Sequence, residues 1–267
     1  RAARLEAVVQ LGELRRRQGR FDEAAALFAQ AEFHPSAIAG RARMQLSAGD
    51  PMGAWATIRG LLERLPPDGR LARADVLLLA VLAACAAGDQ DVARHLAAEL
   101  RETAALTGTN PLMAAACAAD AALAPPDGAV VLLTEAVRRF SAADLRFDEA
   151  HTRLALAEAL LAAGDRPTAL RHLVLATEVL DELSAGDDLA HARRLSDAAA
   201  APSGGALSER EREVLRLVSD GLSNHEIAVS LVLSQHTVHR HVANILTKLG
   251  QASRAGAASY AIRAGLL

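Results

Sequence analysis

The chain has 267 residues, 29 Lys and Arg against 32 Asp and Glu, a formal net charge of −3, and only 3% aromatic residues. Such a length admits one large core or two smaller ones, and the charge excludes a chain that is basic throughout. Abundant Ala, Leu and Arg with almost no runs of Val, Ile, Thr and Tyr exclude a sheet protein and predict an all-α one. Lys248 is the sole lysine beside 28 arginines, which reads as genomic base composition. No apolar run reaches the roughly 18 residues of a membrane span, since Val76 to Ala87 ends at Gly88 and Asp89. With no signal peptide visible, the expectation is a cytoplasmic protein that does not meet a membrane. Cys85 and Cys117 lie far apart with no CxxC, as expected of reduced thiols without a metal. The chain opens at Arg1 inside an apparent helix, so sequence upstream is expected.

From the first residues to about 182, one unit recurs: a Gly that ends a helix and an Ala five positions later on the next. It occurs as Gly19 with Ala24, Gly49 with Ala54, Gly88 with Ala93 and Gly164 with Ala169, and an Asp follows the Gly in three of the four. Gly provides a left-handed helix stop, Asp caps the next helix, and Ala lets the two helices approach. In the first unit Leu11, Gly12, Gly19, Phe21, Ala24, Phe28 and Ala31 fall at the spacings of a tetratricopeptide repeat, which the segment resembles, with Pro35 about one residue early. The second unit keeps Gly49, Ala54 and Pro66; the fifth keeps Leu156, Gly164, Ala169 and Ala176. A fourth is inferred around Ala129, Leu133 and Ala136, with Pro125 and Pro126 in place of the Gly turn. Residues 4 to about 182 are therefore expected to form a tetratricopeptide-like α-solenoid of five helix pairs. Its concave face would take a peptide, a protein or a small-molecule inducer; the plainer alternative is a spacer. Asp187 to Ala200, with Leu189, Ala192 and Leu195 on one face, reads as a capping helix, closing a domain over 1–200. Ala201 to Gly205 has linker composition, giving a linker at 201–206.

Residues 207–267 carry 7 basic and 5 acidic side chains, a local charge of +2, against −5 before them. Ser208 with Glu211, and Ser223 with Glu226, are capping boxes; Ser234 and Ser253 are single N-caps, and Gly221 and Gly250 are stops. Four helices are expected at about 209–220, 224–231, 235–249 and 254–264. Only Val232, Leu233 and Ser234 part the middle two, which must then cross steeply around Ile227, Ala228, Leu231, Leu233, Val238, Val242 and Ile245. Gln235, His236, His239, Arg240, Ala243 and Asn244, with Thr237 nearer the turn, are left on an outward face suited to a major groove. His236, His239 and His241 point in different directions on a helix and are joined by no Cys or carboxylate, so no metal site is expected.

The segment 207–267 resembles the LuxR-type (GerE-like) DNA-binding domain through Leu207-Ser208-Glu209-Arg210-Glu211-Arg212-Glu213-Val214-Leu215, Gly221, Ser223-Asn224, Glu226-Ile227-Ala228, Leu231, Ser234, Thr237-Val238, His241, Ile245, Lys248-Leu249-Gly250, Arg254, Ala257 and Gly265-Leu266. The resemblance implies that the third helix enters the major groove of double-stranded DNA, that the second crosses the backbone, and that the fourth pairs two domains on inverted half-sites. Carried over, His239, Arg240 and Ala243 are base readers, and Asn224, Thr237 and Lys248 contact phosphates. His239 and Ala243 stand where many relatives have lysine, which weakens the electrostatic anchor. Arg240 is then the expected bidentate guanine contact. Ala257, Ala258 and Ala261 on the fourth helix are small enough for a homodimer contact.

The leading expectation is a dimeric transcriptional regulator that uses no cofactor. A sigma-factor-like promoter reader and a solenoid scaffold with a vestigial DNA-binding domain are the alternatives. Lys248-Leu249-Gly250 with Arg254 and a fourth helix argues against the former. No P-loop, Gly-x-Ser-x-Gly or His-Glu-x-x-His occurs, so no enzymatic site is expected within this chain; an ATPase module upstream is left open.

Overall fold

The glycines that mark the repeated unit each take a left-handed conformation, with φ between 76° and 84° at Gly19, Gly49, Gly88 and Gly164. The residue after each Gly closes the turn by donating its backbone N–H five residues back: Arg20 to Arg15, Asp50 to Gln45, Asp89 to Ala84 and Asp165 to Leu160, at 2.7–2.9 Å. Asp50, Asp89 and Asp165 then cap the next helix, accepting from Gly53, Val92 and Thr168. One short polar sequence thus ends one helix and starts another.

The protein is described by a computed structural model covering residues 2–200 and 207–266. Among these residues there are fifteen helices and no strand. The first ten follow as pairs: α1 (Ala2–Arg17) and α2 (Phe21–Ala29), α3 (Pro35–Ser47) and α4 (Pro51–Leu62), α5 (Arg70–Ala86) and α6 (Gln90–Thr107), α7 (Asn110–Ala121) and α8 (Pro126–Ala142), α9 (Arg146–Ala162) and α10 (Arg166–Glu182). Then come α11 (Gly186–Ala200), α12 (Glu209–Ser219), α13 (Asn224–Leu231), α14 (Gln235–Leu249) and α15 (Arg254–Arg263). The linker expected at 201–206 lies outside the described residues.

From α1 to α11 each helix packs mainly on its neighbours in the chain. Ala24, Ala54, Ala93 and Ala169, the alanines five residues after each glycine, are completely buried, as the close approach of paired helices requires. One apolar cluster runs from α3 to α7 and a second from the end of α7 to α11. In the first pair Phe28 is fully buried between two glycines; a methyl group at Gly12 would lie 2.7 Å from its ring, and one at Gly40 would overlap it.

The two ends of this row meet. The Arg17 guanidinium sits 3.9 Å over the Phe147 ring of α9, and α1 packs against α11, where a Cβ at Gly186 would lie 2.7 Å from the Gln18 carbonyl. Beside this seam burial opposes the charge of Glu13, but Arg16 and Arg17, hydrogen-bonded to it, hold its carboxyl down at about 2. Cys85 and Cys117 are unpaired, and burial raises both thiols. No helix of the described residues is long and apolar enough to cross a membrane, and no His, Cys, Asp and Glu group there could hold a metal ion.

Candidate nucleic-acid interface

Helices α12–α15 enclose a core of their own, built on Leu207, Val214, Leu215, Val218, Ile227, Ala228, Val238, Ile245, Ala257 and Ala261. Both capping boxes form. Ser208 Oγ accepts from Glu211 N at 3.1 Å while Glu211 Oε2 accepts from Ser208 N at 2.7 Å; Ser223 and Glu226 repeat the exchange at 3.3 and 2.7 Å. Between α13 and α14, Val232 takes a left-handed φ of 55° and the Leu233 N–H bonds back to the Ala228 carbonyl at 2.8 Å. Ala228 is buried at this elbow, where a longer side chain would separate the helices.

This elbow presents one face of α14 outward. Gln235, His236, His239 and Ala243 are exposed. Gln235 Nε2 lies 2.7 Å from His225 Nδ1 on α13, and Thr237 is tied to its N-cap, its hydroxyl 2.7 Å from Ser234 Oγ. Arg240 and Asn244, one turn apart on the same face, are half-buried because they meet the first row of helices. Arg240 Nη1 donates to Asp165 Oδ2 at 3.2 Å, and Nη2 lies 3.7 Å from Asp127 Oδ1. The Asn244 amide donates to the Gly164 carbonyl. His241 is buried, its Nε2 3.9 Å from Asp127, beyond hydrogen-bond length. Asp127 titrates below the ordinary carboxylate range because His241, Arg240 and Arg210 face it, against the effect of its burial.

Two expected phosphate contacts are engaged inside the domain. Lys248 Nζ lies 2.6 Å from Glu211 Oε2, and Glu211 is completely buried, so the cation neutralises an interior carboxylate. Asn224 Oδ1 accepts from Arg254 Nη1 at 2.7 Å, while Arg254 Nη2 donates to the Leu222 carbonyl. Of the residues expected at a dimer contact, Ala257 and Ala261 are buried in the domain's own core and Ala258 is half-buried, while α15 exposes Ser259, Tyr260, Ile262 and Arg263. Sequence reading missed the interior roles of Glu211, Arg210 and Arg254. Arg210 donates to the Leu231 carbonyl at 2.9 Å. It also missed Asp127 and Asp165, which look like ordinary first-turn and N-cap aspartates and carry no signal of a contact across the chain.

The family model described as bacterial regulatory proteins, luxR family, matches residues 205–261. Over 60 residues this chain is 45% identical to the transcriptional regulatory protein YhcZ and 47% identical to the transcriptional regulatory protein LnrK, both of Bacillus subtilis. Over 61 residues it is 44% identical to the oxygen regulatory protein NreC of Staphylococcus aureus. These matches cover 22%, 22% and 23% of this chain and 28%, 27% and 28% of those proteins. A Mycobacterium bovis protein described as an HTH-type transcriptional regulator is 48% identical over 61 residues, 7% of its own length. The chain thus spans less than a third of the relatives it matches, and the likeness is confined to its end. No solved structure matches the chain. The C-terminal four helices are a luxR-family helix-turn-helix domain.

Proposed function

We propose that the chain is a DNA-binding transcriptional regulator in which α14 enters the major groove of double-stranded DNA. The observation that carries this reading is the face of α14: Gln235, His236, His239, Arg240, Ala243 and Asn244 project from the second helix of a luxR-family helix-turn-helix. Arg240 supplies the planar donor pair for guanine, and His239 and Ala243 flank it. Asn224 and Lys248 have structural duties, so Thr237 is the remaining expected phosphate contact.

On this reading residues 1–200 form a tetratricopeptide-like solenoid that senses a ligand or binds a partner, joined through 201–206 to the reader at 207–267. The repeated Gly turn, the buried alanines and the neighbour-to-neighbour packing support it. The chain acts by binding rather than catalysis. A homodimer through α15 uses the exposed Ser259, Ile262 and Arg263.

Selection from a random duplex pool, followed by gel shifts across a salt series, tests the reading. An enriched sequence with salt-dependent affinity is expected, and Arg240→Ala costs about 1–3 kcal/mol of discrimination at one base pair. No salt-sensitive retention of duplex by the chain, nor by a form with Asp127 and Asp165 neutralised, overturns it.

A further inference from the structure

We infer that the turns carrying Asp127 and Asp165 form an acidic docking site for the reading helix, which occupies α14 in place of DNA and holds the chain in an inhibited state. The inference rests on the DNA-reading proposal for α14. Arg240 presents two nitrogens to two carboxylates, one in the first turn of α8 and one capping α10, in the way it would present them to phosphates or a guanine edge. Four residues on, the Asn244 amide is used by the Gly164 carbonyl. Two polar donors of the groove-facing surface are therefore engaged at once, and the helix starts that engage them stand where a duplex would have to be.

The fit at Gly164 belongs to this contact. A Cβ there would lie 3.0 Å from the Asn244 amide nitrogen and 3.6 Å from Glu211 Oε1, whereas Gly49 and Gly88, the same position in other repeats, have nothing within 4 Å. Docking is also incompletely satisfied. Arg240 Nε, Asp127 Oδ1 and both ring nitrogens of His241 are buried without a hydrogen bond. Such groups lower the margin of the docked state, and the contact joins side chains from the middle of α14 to the turn at Gly164 and Asp165 and to the first turn of α8 through a few polar atoms. A weak, charge-based closure of this kind is one that DNA, or a partner that moves the α9–α10 turn, can open.

Asp127→Asn with Asp165→Asn in the full chain tests this, because Asn at 165 remains a good N-cap for α10 and Asn at 127 keeps the shape of a side chain that caps nothing in α8. With sheared random-sequence duplex DNA as probe, the variant should bind about tenfold more tightly than the native chain, since the native affinity is reduced by the fraction of open molecules. Its affinity should also fall more steeply with salt, because in the native chain salt weakens the closure as well as the DNA contacts. Small-angle scattering should show the variant to be more extended at an unchanged melting temperature. Native affinity and native scattering in the Asp-to-Asn variant would overturn the inhibition and leave the DNA-reading proposal standing. An extended variant that, like the native chain, retains no duplex would instead remove the DNA-reading proposal, and the inhibition with it.

Discussion

The row α1–α11 and the unit α12–α15 face the same problem, how short helices bury an apolar face, and meet it with different materials. The row uses small residues and repetition: fully buried alanines bring paired helices together, and its longer-range ion pairs, such as Arg73 with Glu99 at 2.5 Å and Arg101 with Asp120 at 2.8 Å, join helices near each other in the chain. The four-helix unit has a small core and pins it with polar side chains reaching across: Lys248 to Glu211, Arg254 to the Leu222 carbonyl and Asn224, Arg210 to the Leu231 carbonyl. The contrast explains why a local charge of +2 overstates what the unit offers to DNA. Of its seven cations, Arg210, Lys248 and Arg254 serve the fold and Arg240 is docked, leaving Arg212, Arg216 and Arg263 exposed.

The contrast is sharpest where each region loses its central piece. Phe28→Ala removes a fully buried ring from a slot walled by Gly12 and Gly40, which have no side chains to collapse into the space, so a loss of about 4 kcal/mol is expected. Trp55 on α4 is the only tryptophan and reports on the row, so its fluorescence midpoint in urea should fall. Lys248→Ala strands the Glu211 carboxylate in the interior and should cost the terminal unit about 3 kcal/mol. Circular dichroism should then show an early partial transition while the Trp55 midpoint stays in place. Adding Glu211→Gln should recover most of the loss. A shift of the Trp55 midpoint equal to that of the ellipticity in Lys248→Ala would break the comparison, because the two regions would then unfold as one.

Legibility divided along the same line. Gly19, Gly49, Gly88 and Gly164 announced their turns, and the terminal helices were readable to within a residue because Ser208, Ser223, Ser234 and Ser253 are caps whose chemistry is local. The turns at Asp144 and Ser184, left-handed without glycine, gave no such sign. Neither did any contact made across the chain. Lys248 looks like a phosphate ligand until Glu211 is seen beneath it, and Ala257 and Ala261 look like an interface until α12 is seen against them. Helical periodicity finds an apolar stripe but cannot say whether its cover comes from the same chain or another. The meeting of α1 with α9 and α11 depends on the accumulated rotation of the row, which no single repeat encodes.

That last helix of the row supplies the smallest effect. His191 on α11 lies 2.8 Å from Glu158 on α9, and this hydrogen bond raises the imidazole above its usual 6.5, against its partial burial and the nearby Arg194 and with help from Asp188. A group whose folded value is raised contributes stability that is fully present below the unfolded value and fades as pH climbs through the folded one. The native chain should therefore exceed His191→Gln in stability below about pH 6.5, with the difference vanishing toward alkaline pH. Both partners are substantially exposed, so solvent screening keeps the difference below about 1 kcal/mol. Urea midpoints of the two proteins across this range measure it. A difference that stays the same at every pH would mean that the bond from His191 to Glu158 contributes nothing, leaving Asp188 with His151 at 2.8 Å as the ion pair between α11 and α9 beside the apolar contacts of Ala185, Leu189 and Ala192.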